Sequence, residues 1–253
     1  KGWSEQTFPS RAYAAIDSRR CGERIHLGYC SADFHDHATA HLLAEILELH
    51  DRRSFLVSAY SSGPDDGSAM RRRLGSAVDR FVDISAFSDA AAAGRIREDQ
   101  VDILIDLKGW TEGARTGIIA IRPAPIVVNY LGYPGTMGAP LADYIIGDVT
   151  VTPLQDAAHF AEKLVLLPHS YQPNDRQRAI GPPISRQACG LPERGLVLCA
   201  FNQTYKFTRE MFAVWCEALV AAPDAVLWIL DTNPLAGGNL RREMAEREVS
   251  FSR

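Results

Sequence analysis

Short runs of β-branched and aliphatic residues, separated by stretches of helical periodicity, constrain this chain more than any other feature of its sequence. The runs predict strands over 24–29, 55–60, 102–107, 126–131, 144–146, 164–167, 196–201 and 225–230. Helical patterns fall between them over 41–49, 68–74, 90–98, 208–221 and 239–248. Segments such as Ile126-Val127-Val128 and Leu196-Val197-Leu198 are apolar at consecutive positions rather than alternate ones. A strand of that kind is buried on both faces, as happens when helices cover both sides of a parallel sheet. Strand–helix alternation builds β-α-β units, and the fold class is α/β.

One stretch breaks the rhythm. Residues 168–192 are rich in Pro, Gln, Arg, Asn and Ser and show neither a helix nor a strand period, which reads as a connection between domains. The expected organisation is a connecting segment over 1–23, a first lobe over 24–168, a linker over 169–192, and the start of a second lobe over 193–253. A doubly wound domain takes about 100–150 residues, so the second lobe is expected to be incomplete in this chain. The opening Lys1-Gly2-Trp3-Ser4 has no initiator Met and no apolar signal core, as expected of a piece of a longer parent.

Composition removes several classes. A net charge of −4 argues against the phosphate backbone of nucleic acid as the main partner. No apolar run reaches about 18 residues, so no membrane-spanning helix is expected. The five cysteines (Cys21, Cys30, Cys189, Cys199, Cys216) form no C-x-x-C pair. That usage reads as a reduced, cytoplasmic chain without structural zinc or a disulfide framework. The glycine fingerprints of dinucleotide folds and P-loops and the G-x-S-x-G elbow are absent. No two aspartates are separated by one residue, so the acidic pair of metal-dependent sugar transferases is missing too.

Three loops follow predicted strands, at the ends where parallel sheets bind ligands. The first, 31–41, packs His35, His37, His41, Asp33 and Asp36 into eleven residues, which is costly to hide in a core. It reads as a site where a neutral imidazole at His37 meets a substrate hydroxyl or phosphate, with Asp33 orienting it. The spacing also suits a metal site on His35, His37 and His41, and a plain solvated loop fits as well. The second loop leaves the strand at Leu131 and places Gly132, Gly135 and Gly138 within seven residues, where glycine lets backbone approach a ligand closely. In the third, Gln203 can make paired hydrogen bonds to a base or ribose. Lys206 stands just ahead of a helix that Thr208 can cap, where it can neutralise a diphosphate.

Six segments in order carry a family resemblance: Asp33-Phe34-x-x-His37-x-Thr39-x-His41; Lys108-Gly-Trp-Thr-x-Gly-Ala-Arg115; Arg122-Pro-Ala-Pro-Ile126; Leu131-Gly-Tyr-Pro-Gly-Thr136; Asp143-Tyr-Ile-Ile146; and Phe201-Asn-Gln-x-Tyr205-Lys206. Together they resemble the catalytic region of O-linked N-acetylglucosamine transferases, glycosyltransferase family 41, in the form that bacterial proteins carry behind tetratricopeptide repeats. The resemblance runs from about residue 24 to 253. It implies a GT-B architecture of two Rossmann-like lobes, the second incomplete here, with the donor UDP-N-acetylglucosamine between them. It further implies inverting transfer to Ser or Thr hydroxyls of a protein or peptide acceptor, without metal or cofactor, while net charge and the lack of a long apolar run leave no nucleic-acid or membrane partner expected.

Carried over residue by residue, His37 and Asp33 match the catalytic loop and Thr39 a neighbouring contact. Leu131 and Gly132 match the lining of the sugar pocket, and Gln203 and Lys206 the residues that hold uridine diphosphate. The loop departs from animal relatives at His35 and Asp36, where they carry Gly and Asn, and at Ala38, which replaces a Pro. Three roles stay open for His37: positioning the acceptor, polarising it, or taking its proton. Two other classes stay open for the chain, a non-catalytic binding module derived from the fold and a metallohydrolase built on His35, His37 and His41.

Overall fold

The computed structural model describes residues 24–138, 141–230 and 233–250, and the connecting segment expected over 1–23 lies outside them. The chain falls into two compact units that divide between Ala179 and Ile180.

The first unit is built on seven strands: β1 (Ile25–Ser31), β2 (Phe55–Ser61), β3 (Arg80–Asp83), β4 (Ile103–Asp106), β5 (Ile126–Tyr130), β6 (Tyr144–Asp148) and β7 (Lys163–Leu167). They form one sheet in the order β3-β2-β1-β4-β5-β6-β7, parallel throughout. The crossovers are α1 (Ala38–Leu49), α2 (Ala69–Ser76), α3 (Asp89–Glu98) and the short α4 (Thr116–Ala120). The consecutive apolar residues of the strands are explained by two cores. Val128 packs with Leu27, Val57 and Ile105 and with Leu43 and Leu47 of α1 and Leu74 of α2. Its neighbour Val127 joins Cys30, Tyr60 and Leu104 against Ala92 and Ile96 of α3 and Ile118 of α4. Successive side chains point to opposite faces of a strand, so each face needs its own apolar residue.

Strand order fixes where a ligand can sit. From β1 the chain winds outward through β2 and β3, then returns to place β4 on the other side of β1. The loops after β1 and β4 therefore lead away from each other, which defines a topological switch point beyond the carboxyl ends of those strands.

All eight sequence-predicted strands appear, with ends shifted by up to two residues. β3 is not among them, because its Arg80-Phe81-Val82-Asp83 is an edge strand, half-buried in the middle and exposed at both ends. Helix α4 is only five residues long, too short to show a period. Helix α1 begins at Ala38, three residues before the predicted start, because His37 caps it.

The stretch 168–192 contains no strand or α-helix, and its first part is strapped to the first unit. Tyr171 N donates to Asp148 Oδ2 at 2.9 Å, and Tyr130 Oη donates to Tyr171 O at 2.8 Å. Arg73 of α2 forks onto the buried Asp175, and Arg176 pairs with the buried Glu45 of α1.

The second unit holds parallel strands β8 (Val197–Ala200) and β9 (Val226–Ile229), with α5 (Arg209–Ala221) crossing between them and α6 (Pro234–Glu246) following. Its core is Phe212, Cys216, Leu219, Ala225, Met244 and Val249. Thr208 caps α5 by accepting from Met211 N at 3.2 Å. Asn233 caps α6, and Pro234 opens it, so this helix starts earlier than the pattern over 239–248 suggests. Among the described residues no helix is long and apolar enough to cross a membrane.

Candidate active site

The switch point is occupied by a buried ion pair. Asp33, on the loop leaving β1, and Lys108, on the loop leaving β4, are each only 6% exposed. Lys108 Nζ donates to both carboxylate oxygens of Asp33 at 2.8 Å. Thr39 Oγ1 adds a third bond, to Asp33 Oδ2 at 3.1 Å. The His37 side chain, by contrast, is 41% exposed, with Nδ1 3.5 Å from Asp33 Oδ2. The imidazole is the part of this cluster offered to a ligand.

The caps of two turns aim the pair. His37 is the N-cap of α1, and its Nδ1 accepts a hydrogen bond from Thr39 N at 3.1 Å. A backbone N–H can only donate, so Nδ1 bears the lone pair and a neutral His37 carries its proton on Nε2. On the other loop, Asp106 ends β4 and accepts from Lys108 N at 3.1 Å and Gly109 N at 3.0 Å. Burial pushes the Asp106 carboxyl up to about 6, while those two amides and the Lys108 charge pull the other way. The β1 loop is fastened from behind by the buried Arg71 of α2. Arg71 Nη1 donates to Phe34 O and Ser61 Oγ at 3.0 Å and to Pro64 O at 3.2 Å.

The third loop leaves β5, the next strand in the sheet. Leu131 is buried with φ at 70°, in the left-handed region that a bulky residue rarely adopts. Gly132 N closes a three-residue turn around it by donating to Tyr130 O at 2.9 Å. A Cβ on Gly132 would lie 2.0 Å from Leu107 O, so only glycine lets this loop press against the loop that carries Lys108. The rest of the loop is pinned. Asn129 Nδ2 donates to Tyr133 O and Gly135 O, Glu162 accepts from Met137 N and Thr136 Oγ1, and Trp110 Nε1 donates to Met137 O.

Five of the seven site residues expected from sequence thus lie on neighbouring loops of the first unit: Asp33, His37, Thr39, Leu131 and Gly132. Gln203 and Lys206 lie in the second, on the turn between β8 and α5. Gln203 O accepts from Lys206 N at 3.0 Å, and Lys206 Nζ stands 5.9 Å from the centre of the exposed Tyr205 ring, one residue pair ahead of the Thr208 cap. The histidines considered as metal ligands turn to other partners. His41 Nε2 donates to Asp36 Oδ1 at 2.7 Å, and His37 Nδ1 is held by Thr39 N. Among the described residues no group of three or more His, Cys, Asp or Glu side chains is placed to hold a metal ion.

Sequence reasoning quoted Lys108 within a motif but gave it no role, and it passed over Arg71, Asp106, Asn129 and Glu162. Lys108 had a usable signal, since it lies just beyond a predicted strand at the ligand-binding end of the sheet. The other four are recognisable only from the contacts they make.

A parallel α/β lobe with a polar cluster at its switch point, followed by a second unit that opens with strand, helix and parallel strand, defines a Rossmann-like α/β class of protein. The family model for glycosyl transferase family 41 matches residues 7–181 and 182–253. The chain is 41% identical over 214 residues to an Arabidopsis thaliana protein named probable UDP-N-acetylglucosamine–peptide N-acetylglucosaminyltransferase SEC, covering 82% of this chain and 22% of that one. The structure of a mutant Thermobaculum terrenum O-GlcNAc transferase superimposes with a TM-score of 0.86 at 27% identity, covering 98% of this chain and 48% of that one. The galactosyltransferase WaaB, at 10% identity and a TM-score of 0.53, shares the fold alone over 88% of this chain and 66% of that one. The chain belongs to glycosyl transferase family 41 and has the α/β fold of GT-B type. It spans about a fifth of the length of the Arabidopsis relative and about half of the Thermobaculum one.

Proposed function

We propose that this chain is the part of a protein O-GlcNAc transferase that carries the acceptor-side loop and the first diphosphate-binding turn. The observation that carries this reading is the His37 imidazole, exposed at the switch point of a family 41 lobe with its Nδ1 committed to Thr39 N. The donor is UDP-N-acetylglucosamine and the acceptor a Ser or Thr hydroxyl of a protein or peptide, as the names of the relatives suggest. Asp33, Thr39, Leu131 and Gly132 shape the site around His37, and Gln203 and Lys206 hold the uridine diphosphate.

The roles follow from charge. In an inverting displacement the hydroxyl attacks the anomeric carbon opposite the leaving diphosphate, and negative charge builds on the departing phosphate. Lys206 and the amino end of α5 stabilise that charge without needing a metal or cofactor. With its proton on Nε2, His37 donates a hydrogen bond to a substrate oxygen. That favours orienting or polarising the substrate over removing its proton, because a base at Nε2 would need the opposite tautomer. The free thiols Cys30, Cys189, Cys199 and Cys216 support a reducing compartment, the cytoplasm.

The test uses the full-length protein, with donor-binding titrations for UDP-N-acetylglucosamine, UDP-glucose and UDP beside a transfer assay. We expect UDP-N-acetylglucosamine to bind more tightly than UDP-glucose. His37→Ala is expected to abolish transfer while retaining donor binding, and Lys206→Ala to weaken both. Wild-type transfer by the two variants would sink the proposal.

A further inference from the structure

Asp33 and His37 look at first like an acid–imidazole pair of the kind that makes histidine a base. A carboxylate beside Nδ1 ordinarily draws the proton to that nitrogen and leaves Nε2 as the acceptor. The geometry here is the reverse. Nδ1 accepts from Thr39 N, although Asp33 Oδ2 is only 3.5 Å away. Something must prevent Asp33 from claiming a proton on that nitrogen.

We propose that Lys108 is a positioning residue that neutralises Asp33 and thereby holds His37 in its Nε2–H tautomer, making it a hydrogen-bond donor to substrate rather than a base. Three observations carry the idea. The Lys108 ammonium spans both Asp33 oxygens at 2.8 Å, and both side chains are buried, so the charges offset one another with little screening. Thr39 Oγ1 takes another lone pair of Oδ2, the oxygen nearer to His37. The backbone amide of Thr39 then meets Nδ1 as the cap of α1, a bond that requires an unprotonated nitrogen.

The Lys108 side chain is itself aimed by a fixed turn, since Asp106 holds the amides of Lys108 and Gly109. Among the other titratable groups near the pair, His35 lies edge-on to His37 with ring centres 5.5 Å apart, and Asp36 is engaged by His41 and accepts nothing from His37. The arrangement spans 75 residues of sequence and joins the two diverging loops.

This inference rests on the reading of His37 as a substrate-facing group, but its principal readout does not depend on activity. The full-length protein, labelled with ¹⁵N at histidine, reports the tautomer of His37 through the shifts of its two ring nitrogens, with His37→Asn assigning the signals. In the unaltered protein the neutral ring should show an unprotonated Nδ1 and a protonated Nε2. In Lys108→Met the Asp33 charge is uncompensated, and Nδ1 is expected to become protonated. The double variant Lys108→Met/Asp33→Asn removes that charge, and the ring should return to the original tautomer.

Transfer should follow the same order. Lys108→Met is expected to lose about 10–100-fold in kcat, the range found when a residue that orients a working side chain is removed, with the donor KM little changed. Since Lys108→Met leaves a buried carboxylate unpaired and can impair folding, Lys108→Gln, shorter and neutral, is the second variant and should show the same change of tautomer. A folded Lys108→Met or Lys108→Gln that keeps the Nε2–H ring overturns the proposal. So does an unaltered protein whose neutral His37 is protonated on Nδ1. If His37→Ala transfers normally, the functional reading fails instead, whatever the tautomer shows.

Discussion

Asp106 offers the most direct check on the electrostatics of the switch point. Its carboxyl is buried at the end of β4, and burial raises it from an ordinary 3.8 to about 6. The replacement Asp106→Asn removes the titration while keeping the size and one acceptor oxygen for the turn amides. The sign follows from linkage. Between the unfolded value and about 6, the folded chain binds a proton that the unfolded chain releases, so this group's contribution is fully present below pH 3.8 and is lost as pH rises through about 6. At about 1.4 kcal/mol per pH unit, the interval is worth about 3 kcal/mol. Urea unfolding of both proteins from pH 4 to pH 7 measures it as a difference. The unaltered protein should lose about 2.4 kcal/mol of this relative to Asp106→Asn across that range, because at pH 4 the unfolded carboxyl is already more than half ionised, on top of a constant offset from the altered turn. His26, at the opposite end of β1, titrates in both proteins and cancels. A difference that stays flat to within about 0.5 kcal/mol, the usual additivity error, would refute the account of Asp106 as a carboxylate held ionised against its burial.

Two further perturbations address the neighbouring loops. Gly132→Ala places a Cβ 2.0 Å from Leu107 O, so the loops after β4 and β5 must separate by about an ångström, and a displacement of that size costs about 100-fold in turnover. Transfer by full-length Gly132→Ala at the unaltered rate would count against these loops forming the site. Asp175→Ala frees the strap from α2 but leaves Arg73 paired with Glu48, so it should destabilise by about 1–3 kcal/mol, less than the loss of a wholly buried pair. Urea unfolding measures that, and hydrogen exchange should show residues 171–177 losing protection.

The fold class was legible because sheet burial imposes itself on composition. Ile126-Val127-Val128 is apolar throughout since each face of β5 needs its own hydrophobic partner, and no helix period produces that run. β3 escaped notice because this strand at the sheet margin keeps Arg80 and Asp83 in water. The site was legible as far as residue type and position after strands extend. His37 and Asp33 stand together in sequence, but the lysine that pairs with Asp33 is 75 positions away, and nothing in either segment says that the two loops meet. The cap at His37 was hidden for a different reason. Histidine is not among the favoured capping residues, so the pattern suggested a helix beginning after it rather than on it.

The strain at Leu131 says why the loops sit where they do. A buried leucine at φ 70° costs about 1–3 kcal/mol and persists only if its surroundings overdetermine it. Here they do. Gly132 presses on Leu107 O, Asn129 ties two carbonyls of the loop from inside the sheet, and Glu162 holds Thr136 and Met137 from β7's side. A relaxed turn would need none of these fasteners. Their common effect is to bring the β5 loop against the backbone that carries Lys108, which reaches across to Asp33 and so to His37. The unfavourable backbone at Leu131 is therefore coupled through contacts to the exposed His37 imidazole at the switch point. Leu131→Gly relieves the backbone strain but deletes a side chain buried in the core with Leu27, Ile105 and Val128, so it should destabilise the protein by about 1–3 kcal/mol net and also lower transfer, since the wall that the Lys108 loop rests on is loosened. A folded Leu131→Gly protein with unchanged transfer would show that the strain is incidental to the site.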